Sequence, residues 1–495
     1  MGRDGRAERG GGEEAEHDTE TLKHCGRARA SPNPCQRRDR SPYAGHEKIP
    51  MPPLKPPPER AVPSGRLSRL GQFGRLAGGV AGGMIAEAAR RLAEGERPSV
   101  RGMLMTPGNF ARLADRLSHL RGAAMKLGQM ISMDAGDMLP PELSQLMAGL
   151  RERANHMPPQ QLQKVLAREW GADWRRRFKR FEPTPMAAAS IGQVHRAIAL
   201  DGRDLAIKVQ YPGVRDSIDA DIDNVATLLR VSGLLPKELD IAPLLEEAKH
   251  QLAEEADYRR EGEQMTHYGA LLADEADYVV PRLDAEFSTG QVLAMDYLAG
   301  EPIESLVDAP KDERDRVMTA LLSLVLRELF EFGVMQTDPN FANYRYQSDS
   351  GRLVLLDFGA ARSVLSETSA AYRRLIEAAL AGDRTEVRAA ALAAGFVGEG
   401  AVARHGERID AMIDVVLAKL NQPGPFDFGD RGFVELLREP GTAVASDSAA
   451  WHVPPAAILF VQRKISGTAL LAARLRAEVD VRALVAAQLG EGIAA

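Results

Sequence analysis

From Phe110 onward the apolar residues Leu113, Leu117, Leu120, Ala124, Leu127 and Ile131 recur at alternating spacings of three and four, the period of an amphipathic helix that ends near Asp134-Ala135-Gly136. Helical spacing resumes over residues 141–153 and 159–169, so residues 100–170 read as all-helical. The period then changes. Gly192-Gln193-Val194-His195-Arg196-Ala197 and Leu205-Ala206-Ile207-Lys208-Val209 read as strands, and Asp201-Gly202 between them is a hairpin signal. A long helical region is expected from about 214 to 272, then a strand over Gln291-Val292-Leu293-Ala294-Met295-Asp296-Tyr297 and helices from 312 to 332. A short strand is expected at Leu353-Val354-Leu355-Leu356, and the chain beyond Ser366 reads as mostly helical. The order implies an α+β, bilobal chain. A helical subdomain spans residues 64–175, a strand-rich lobe with inserted helices 176–298, and a helical lobe with a C-terminal extension 299–495.

Composition changes this picture mainly at the N-terminal end. Residues 1–63 hold ten prolines and, before residue 50, only Leu22 and Ile49 among large aliphatic side chains, too little to offset chain ordering, so a disordered leader is expected. Elsewhere 44% apolar and 27% charged residues are ordinary for a globular chain. Lys+Arg 63 against Asp+Glu 69 leaves a net charge of -6, with no field that would recruit nucleic acid. Cys25 and Cys35 alone support neither a disulfide framework nor a thiolate metal site, and a cytoplasmic, reducing location is expected. The Gly-rich run from Leu76 to Ala89 is shorter than the about 20 apolar residues a membrane span needs. Its Gly78/Gly82 and Gly79/Gly83 spacing leaves open a flexible linker or a membrane-surface or self-association segment.

The candidate chemistry lies in the strand-rich lobe and the first half of the helical lobe. Ala187-Ala188-Ala189-Ser190-Ile191-Gly192-Gln193-Val194 fits G-x-G-x-x-G-x-V with alanines at the first two glycines. Sixteen residues after Gly192, Lys208 ends a V-A-I-K-like strand, where a lysine among apolar neighbours must be paired or hold a phosphate. Glu255, three residues after Leu252 and seven after Ala248, faces the apolar side of its helix and is the expected partner. Asp338 and Asn343 have the D-x-x-x-x-N spacing of a kinase catalytic loop, and Asp357-Phe358-Gly359 comes directly after an apolar strand. Ala187, Ala188, Ala189, Ser190, Gly192, Val194, Lys208, Met295 and Tyr297 are the expected nucleotide contacts. Asn343 and Asp357 are the expected Mg²⁺ ligands, and Asp338, Lys208 and Glu255 the catalytic set. No Ala-Pro-Glu comes after Asp357, and Ala360-Ala361-Arg362-Ser363 leads almost directly into helix, which leaves no platform for a peptide substrate.

At these residues the chain resembles the UbiB/AarF-like atypical kinases, in particular the branch that supports coenzyme Q synthesis. Lys126-Leu127-Gly128-Gln129 matches that family's K-x-G-Q signature, Ala187-Ala188-Ala189-Ser190 its alanine-rich loop, and Glu255-Ala256-Asp257 its E-x-D element. Met335-Gln336-Thr337-Asp338-Pro339-Asn340 reads like its catalytic loop. The resemblance implies a protein-kinase-like fold that binds ATP or ADP with Mg²⁺, and a helix whose Lys126, Gly128 and Gln129 gate the site against Glu255 and Asp257. Because residues two apart on a helix diverge by about 200°, Glu255 and Asp257 require an irregular turn to face one point. The resemblance also implies polyprenyl quinone intermediates, quinone-synthesis enzymes and an anionic inner-membrane surface as partners. Unlike members that end in membrane spans, this chain has charge interrupting Ile458-Leu459-Phe460-Val461-Gln462-Arg463-Lys464, and no crossing is expected there. A small-molecule phosphotransferase and a nucleotide-gated scaffold without catalysis remain as alternatives.

Overall fold

Both faces of the first sheet are covered, so its strands Asp204–Gln210 and Val292–Asp296 each carry four consecutive buried residues. The computed structural model describes residues 157–231, 242–447, 450, 452 and 454–490, with Gly122 and Ala123. The 1–63 leader, the Gly-rich run and Lys126, Gly128 and Gln129 lie outside the described residues. Helix α1 (Pro159–Trp170) precedes β1 (Phe178–Phe181), β2 (Ala187–Ala188), β3 (Gly192–Ala199) and β4 (Asp204–Gln210), and β6 (Val292–Asp296) completes this antiparallel sheet in the order β1-β3-β4-β6, with β2 on β3. The hairpin between β3 and β4 turns at Gly202, whose φ of +101° only glycine adopts readily. Directly paired residues share a face. The outward set, Ala197, Leu205, Ile207, Val209, Val292 and Ala294, packs with Leu162, Val165 and Leu166 of α1 and with Trp174, Phe178 and Phe287. The inward set pairs Val194 with Lys208, Arg196 with Ala206, and Ala206 with Met295.

The expected single helical region from 214 to 272 is three helices: α2 (Ile218–Val231), α3 (Ala242–Glu255) and α4 (Tyr258–Leu271). The break between α3 and α4 has a local cause. Asp257, at φ −99° and ψ 84°, is non-helical, and its carboxylate accepts from the Arg260 N–H as the cap of α4. Helix α4 runs close under the sheet, since a Cβ on Gly262 would sit 3.0 Å from a Leu283 methyl and 3.3 Å from one of Leu293.

The second lobe begins after β5 (Tyr278–Val279) and β7 (Glu301–Pro302) with α5 (Lys311–Arg327), which runs into a π-turn at Glu328–Phe332 ending on Gly333 at φ +63°. Next come β8 (Val334–Gln336), β9 (Tyr344–Gln347), β10 (Arg352–Leu355) and β11 (Ala361–Ser363); β8 pairs with β11, and the other sheet has the order β5-β10-β9-β7. β11 gives way to α6 (Ser366–Leu380) almost at once, so the segment after Asp357 is as short as expected. Helices α7 (Arg384–Ala393), α8 (Glu399–Leu420), α9 (Gly432–Ala445), α10 (Ala456–Leu475) and α11 (Val481–Leu489) complete the chain with the β12 (Phe426–Asp427)/β13 (Glu478–Val479) pair.

Helix α10 bears on the expected absence of a membrane crossing. Its length and mean hydropathy suffice to cross a membrane despite Arg463 and Lys464. Its inward stripe of Ile458, Val461, Lys464, Gly467, Thr468, Leu471 and Leu475 is instead buried against the second lobe.

Gly192 opens β3 where no side chain fits: an added Cβ would lie 2.5 Å from the Val209 carbonyl oxygen and 2.8 Å from the Tyr258 hydroxyl. Gly192→Ala should therefore destabilise the chain by about 1–3 kcal/mol through forced displacement of β4 and α4. Chemical denaturation checks this, and an unchanged midpoint would show that the strand start yields freely.

Candidate nucleotide site

Lys208 stands on the inward face of β4, with only 10% of its side chain exposed, and carries a charge that burial alone would make costly. Its ammonium donates to Glu261 Oε1 at 2.7 Å and Oε2 at 2.9 Å, and to Asp357 Oδ2 at 3.3 Å. The expected partner, Glu255, is therefore corrected to Glu261. Glu255 ends α3, the chain turns at Ala256-Asp257, and the helix that passes beneath Lys208 is α4, on which Glu261 occupies the first turns. Glu261 was legible only indirectly, through the capping aspartate that restarts the helix and the Gly262 beside it. Glycine inside a helix costs about 1 kcal/mol against alanine, which here allows the helix's close approach to Leu283 and Leu293. Burial pushes the Glu261 carboxyl up to about 7 against the pull of Lys208. Burial opposes the charge on Lys208 too, but Asp357 and Glu261 outweigh it and hold the ammonium well above its usual range. Two carboxylates thus share one proton-retaining cation.

The catalytic loop comes off β8. The Asn343 amide Nδ2 donates to Asp338 Oδ2 at 3.3 Å and to the Asp338 carbonyl at 3.4 Å, so the D-x-x-x-x-N spacing closes a small loop on itself. The N–H of Leu356 donates to the Asn343 carbonyl at 3.0 Å, which brings Asp357 alongside Asn343. The Gly359 N–H donates to Asp357 Oδ1 at 2.9 Å, and Phe358 is buried with its ring 5.0 Å from that of Tyr268. Two arginines hold this turn: Arg260 donates to the carbonyls of Gly359, at 2.8 Å, and Ala361, while Arg362 donates to Glu254 from Nε at 2.9 Å and to Glu247 at 3.1 Å. Both reach between the α3–α4 pair and the turn, an arrangement that no local pattern announced.

The alanine-rich loop is a tight hairpin. Ala187 pairs with Val194 and Ala188 with Gln193, the Ala189 N–H donates to the Gly192 carbonyl at 2.9 Å, and Ser190 Oγ donates to Glu255 Oε2 at 2.6 Å. Glu255 thus ties the loop to α3, while Asp257 caps α4 and lies 3.9 Å from Arg215. The irregular turn that the E-x-D spacing requires is present between them. Val194 and Met295 share the inward face with Lys208. Tyr297 is less open as a nucleotide contact: its N–H is spent on the Asp204 carbonyl at 2.9 Å, and the Arg196 guanidinium lies 4.0 Å from its ring centroid.

Beneath the catalytic loop lies a cluster that sequence reading missed. Lys464 of α10 is 1% exposed, donates to the Tyr344 hydroxyl at 2.9 Å, and lies 3.5 Å from Glu328, itself fully buried. Glu328 Oε1 accepts from the Gln336 N–H at 3.0 Å and from the Tyr268 hydroxyl at 2.8 Å. Burial opposes the charge on Lys464, and Glu328 and Tyr344 outweigh it to raise its pKa. These contacts clamp both flanks of Asp338 and Asn343, Gln336 before them and Tyr344 after them.

Residues 149–391 match the ABC1 atypical kinase-like domain. The mitochondrial atypical kinase COQ8 of Saccharomyces cerevisiae is 35% identical over 425 residues, 85% of this chain and 84% of that protein. The chain belongs to the ABC1 atypical kinase-like family. The mitochondrial atypical kinase COQ8B of Rattus norvegicus is similar at 36% identity over 432 residues, covering 86% of this chain and 81% of that one. Among solved structures, Rv3197 of Mycobacterium tuberculosis in complex with erythromycin shares the fold with a TM-score of 0.54 at 26% identity, over 76% of this chain and 94% of its own. ABC1 membership agrees with the kinase-like, two-lobed architecture.

In this ABC1 chain the oxygen donors fit magnesium. Among the described residues no three His, Cys, Asp or Glu side chains converge as a closed metal cage. Mg²⁺ instead takes one or two protein carboxyl or amide oxygens beside phosphate and water, which is what Asp357 and Asn343 offer when held side by side.

Proposed function

We propose that this chain binds Mg²⁺–ATP and transfers its terminal phosphoryl group to water or a small hydroxyl acceptor, in support of coenzyme Q synthesis. The observation that carries the reading is the buried Lys208–Glu261 pair with Asp357 at its side, since a lysine is buried on a strand facing such an aspartate to meet phosphate oxygens. Val194, Gly192, the Ala187–Ser190 loop and Met295 line the nucleotide's place, and Lys208 holds its phosphates. Asp357 and Asn343 hold Mg²⁺, which neutralises charge on the phosphates. Asp338 accepts the proton of the attacking oxygen as the bond between the terminal phosphorus and its bridging oxygen breaks, leaving ADP.

The short segment after Asp357 favours a small acceptor, because it offers no platform for a peptide. The COQ8 names of the relatives and the motif resemblance support a role with polyprenyl quinone intermediates and quinone-synthesis enzymes at an anionic membrane surface, with the protein peripheral to that membrane.

Asp357→Asn should abolish Mg²⁺-dependent ATP binding, measured by calorimetry with and without EDTA; equal affinity in wild type and variant would remove the metal assignment. Quinone profiling of a deletion strain carrying wild type or Asp357→Asn tests the pathway. Full rescue by the variant would argue for a scaffold and against catalysis.

A further inference from the structure

Arg463 sits on α10 between two residues with well-defined neighbours. The Arg362 guanidinium lies 4.0 Å from the ring centroid of Phe460, and a Cβ on Gly467 would come within 2.1 Å of Pro339. Residues 460, 463 and 467 fall on one side of a helix, so Arg463 lies on the side turned to the Asp-Phe-Gly turn and the catalytic loop. There it lines the crevice beside Asp338, together with Thr337, Glu255 and Ala360.

Among the described residues the neighbouring cations are all engaged. Lys208 holds Glu261 and Asp357, Arg260 holds the Gly359 and Ala361 carbonyls, Arg362 holds Glu254 and Glu247, and Lys464 holds Glu328 and Tyr344. Among these same described residues, Arg463 forms no ion pair, and its Nε is buried without a hydrogen-bond partner. An unsatisfied buried donor is destabilising, and more so when charged. The cost is recovered when an anion arrives, and the planar guanidinium fork matches phosphoryl oxygens.

We propose that Arg463 is a catalytic residue that grips the terminal phosphoryl oxygens of the nucleotide as phosphorus passes to the acceptor oxygen at Asp338. This rests on the nucleotide-site reading. No bond forms to Arg463 and its proton stays in place: the acceptor oxygen–phosphorus bond forms, the bridging phosphorus–oxygen bond breaks, the acceptor proton goes to Asp338, and ADP leaves. Because Lys464 and Gly467 lock α10 against the loop, the guanidinium is held in place before substrate binds, the condition under which such a charge contributes most to rate.

The test uses the full chain with Arg463→Met and Arg463→Lys. Arg463→Met should lower ATP turnover by at least about 100-fold, the scale of a lost transition-state donor, with ADP affinity and unfolding temperature close to wild type. It should also lose the trapping of ADP with aluminium fluoride, a mimic of the transferring phosphoryl group, and Arg463→Lys should regain part of both. Wild-type turnover and trapping in Arg463→Met would overturn the assignment. So would a parallel loss of ADP affinity and thermal stability in both variants, which would mark a structural role. If inorganic phosphate alone competed at Arg463 as strongly as ADP with fluoride, the nucleotide would be ruled out as the source of the anion. Failure of the wild-type chain to bind ATP or ADP would instead bring down the nucleotide reading itself, and this inference with it.

Discussion

Glu261→Gln should cost at least about 100-fold in ATP turnover, whereas Glu255→Gln should leave Lys208 aligned and cost far less. The ammonium of Lys208 is held by both Glu261 oxygens, at 2.7 and 2.9 Å, and more loosely by Asp357 at 3.3 Å. Removing the Glu261 charge leaves Asp357 as the carboxylate nearest the lysine, so Lys208 and Asp357 pull together. A shift of about 1 Å in a positioned group costs about 100-fold in rate. Glu255 instead accepts from Ser190 across the loop, so its variant should loosen nucleotide retention more than turnover. Single-turnover hydrolysis beside nucleotide affinity separates the two. If Glu255→Gln proved the more damaging for turnover, Glu261 would lose its place as the lysine's partner.

Lys464→Met should lower thermal stability by about 3–5 kcal/mol, because it strands the buried Glu328 carboxylate. At about 2–4 °C per kcal/mol for a domain of this scale, the unfolding temperature should fall by roughly 10 °C. The double variant Lys464→Met with Glu328→Gln should recover most of that loss, because no unpaired charge is then buried. Turnover should fall in the single variant beyond what unfolding explains, since Glu328 and Tyr344 secure the residues on either side of the catalytic loop. A Lys464→Met protein that melts with wild type would show that the pair adds nothing to the fold.

Both expectations concern contacts that local pattern could not supply. The chemistry-bearing residues were readable because each sits on a short-range signal. Lys208 lies in an apolar strand after an Asp-Gly hairpin, Asp338 and Asn343 close a loop on themselves, and Asp357 leaves an apolar strand into a glycine turn. Which carboxylate meets Lys208 was not readable. Glu247, Glu254, Glu255, Asp257 and Glu261 crowd the same stretch, and the helical period of α3, which stops before the Asp257 cap, pointed to the wrong one.

The same limit applies to α10. Arg463 and Lys464 looked like charges interrupting an apolar run. Their opposite fates, one in the crevice and one sealed under the loop, depend on Glu328 of a π-turn in another helix and on Pro339 pressed against Gly467. The two lobes and the order of the catalytic groups could be read along the chain, because strand period, turn chemistry and loop spacing act over a few residues. The partner of Lys208, the arginines that bind the Asp-Phe-Gly turn and the support beneath the catalytic loop came from long-range packing alone. A buried charge is stabilised by whichever opposite charge the packing of distant elements brings within about 3 Å, and that distance has no counterpart along the chain.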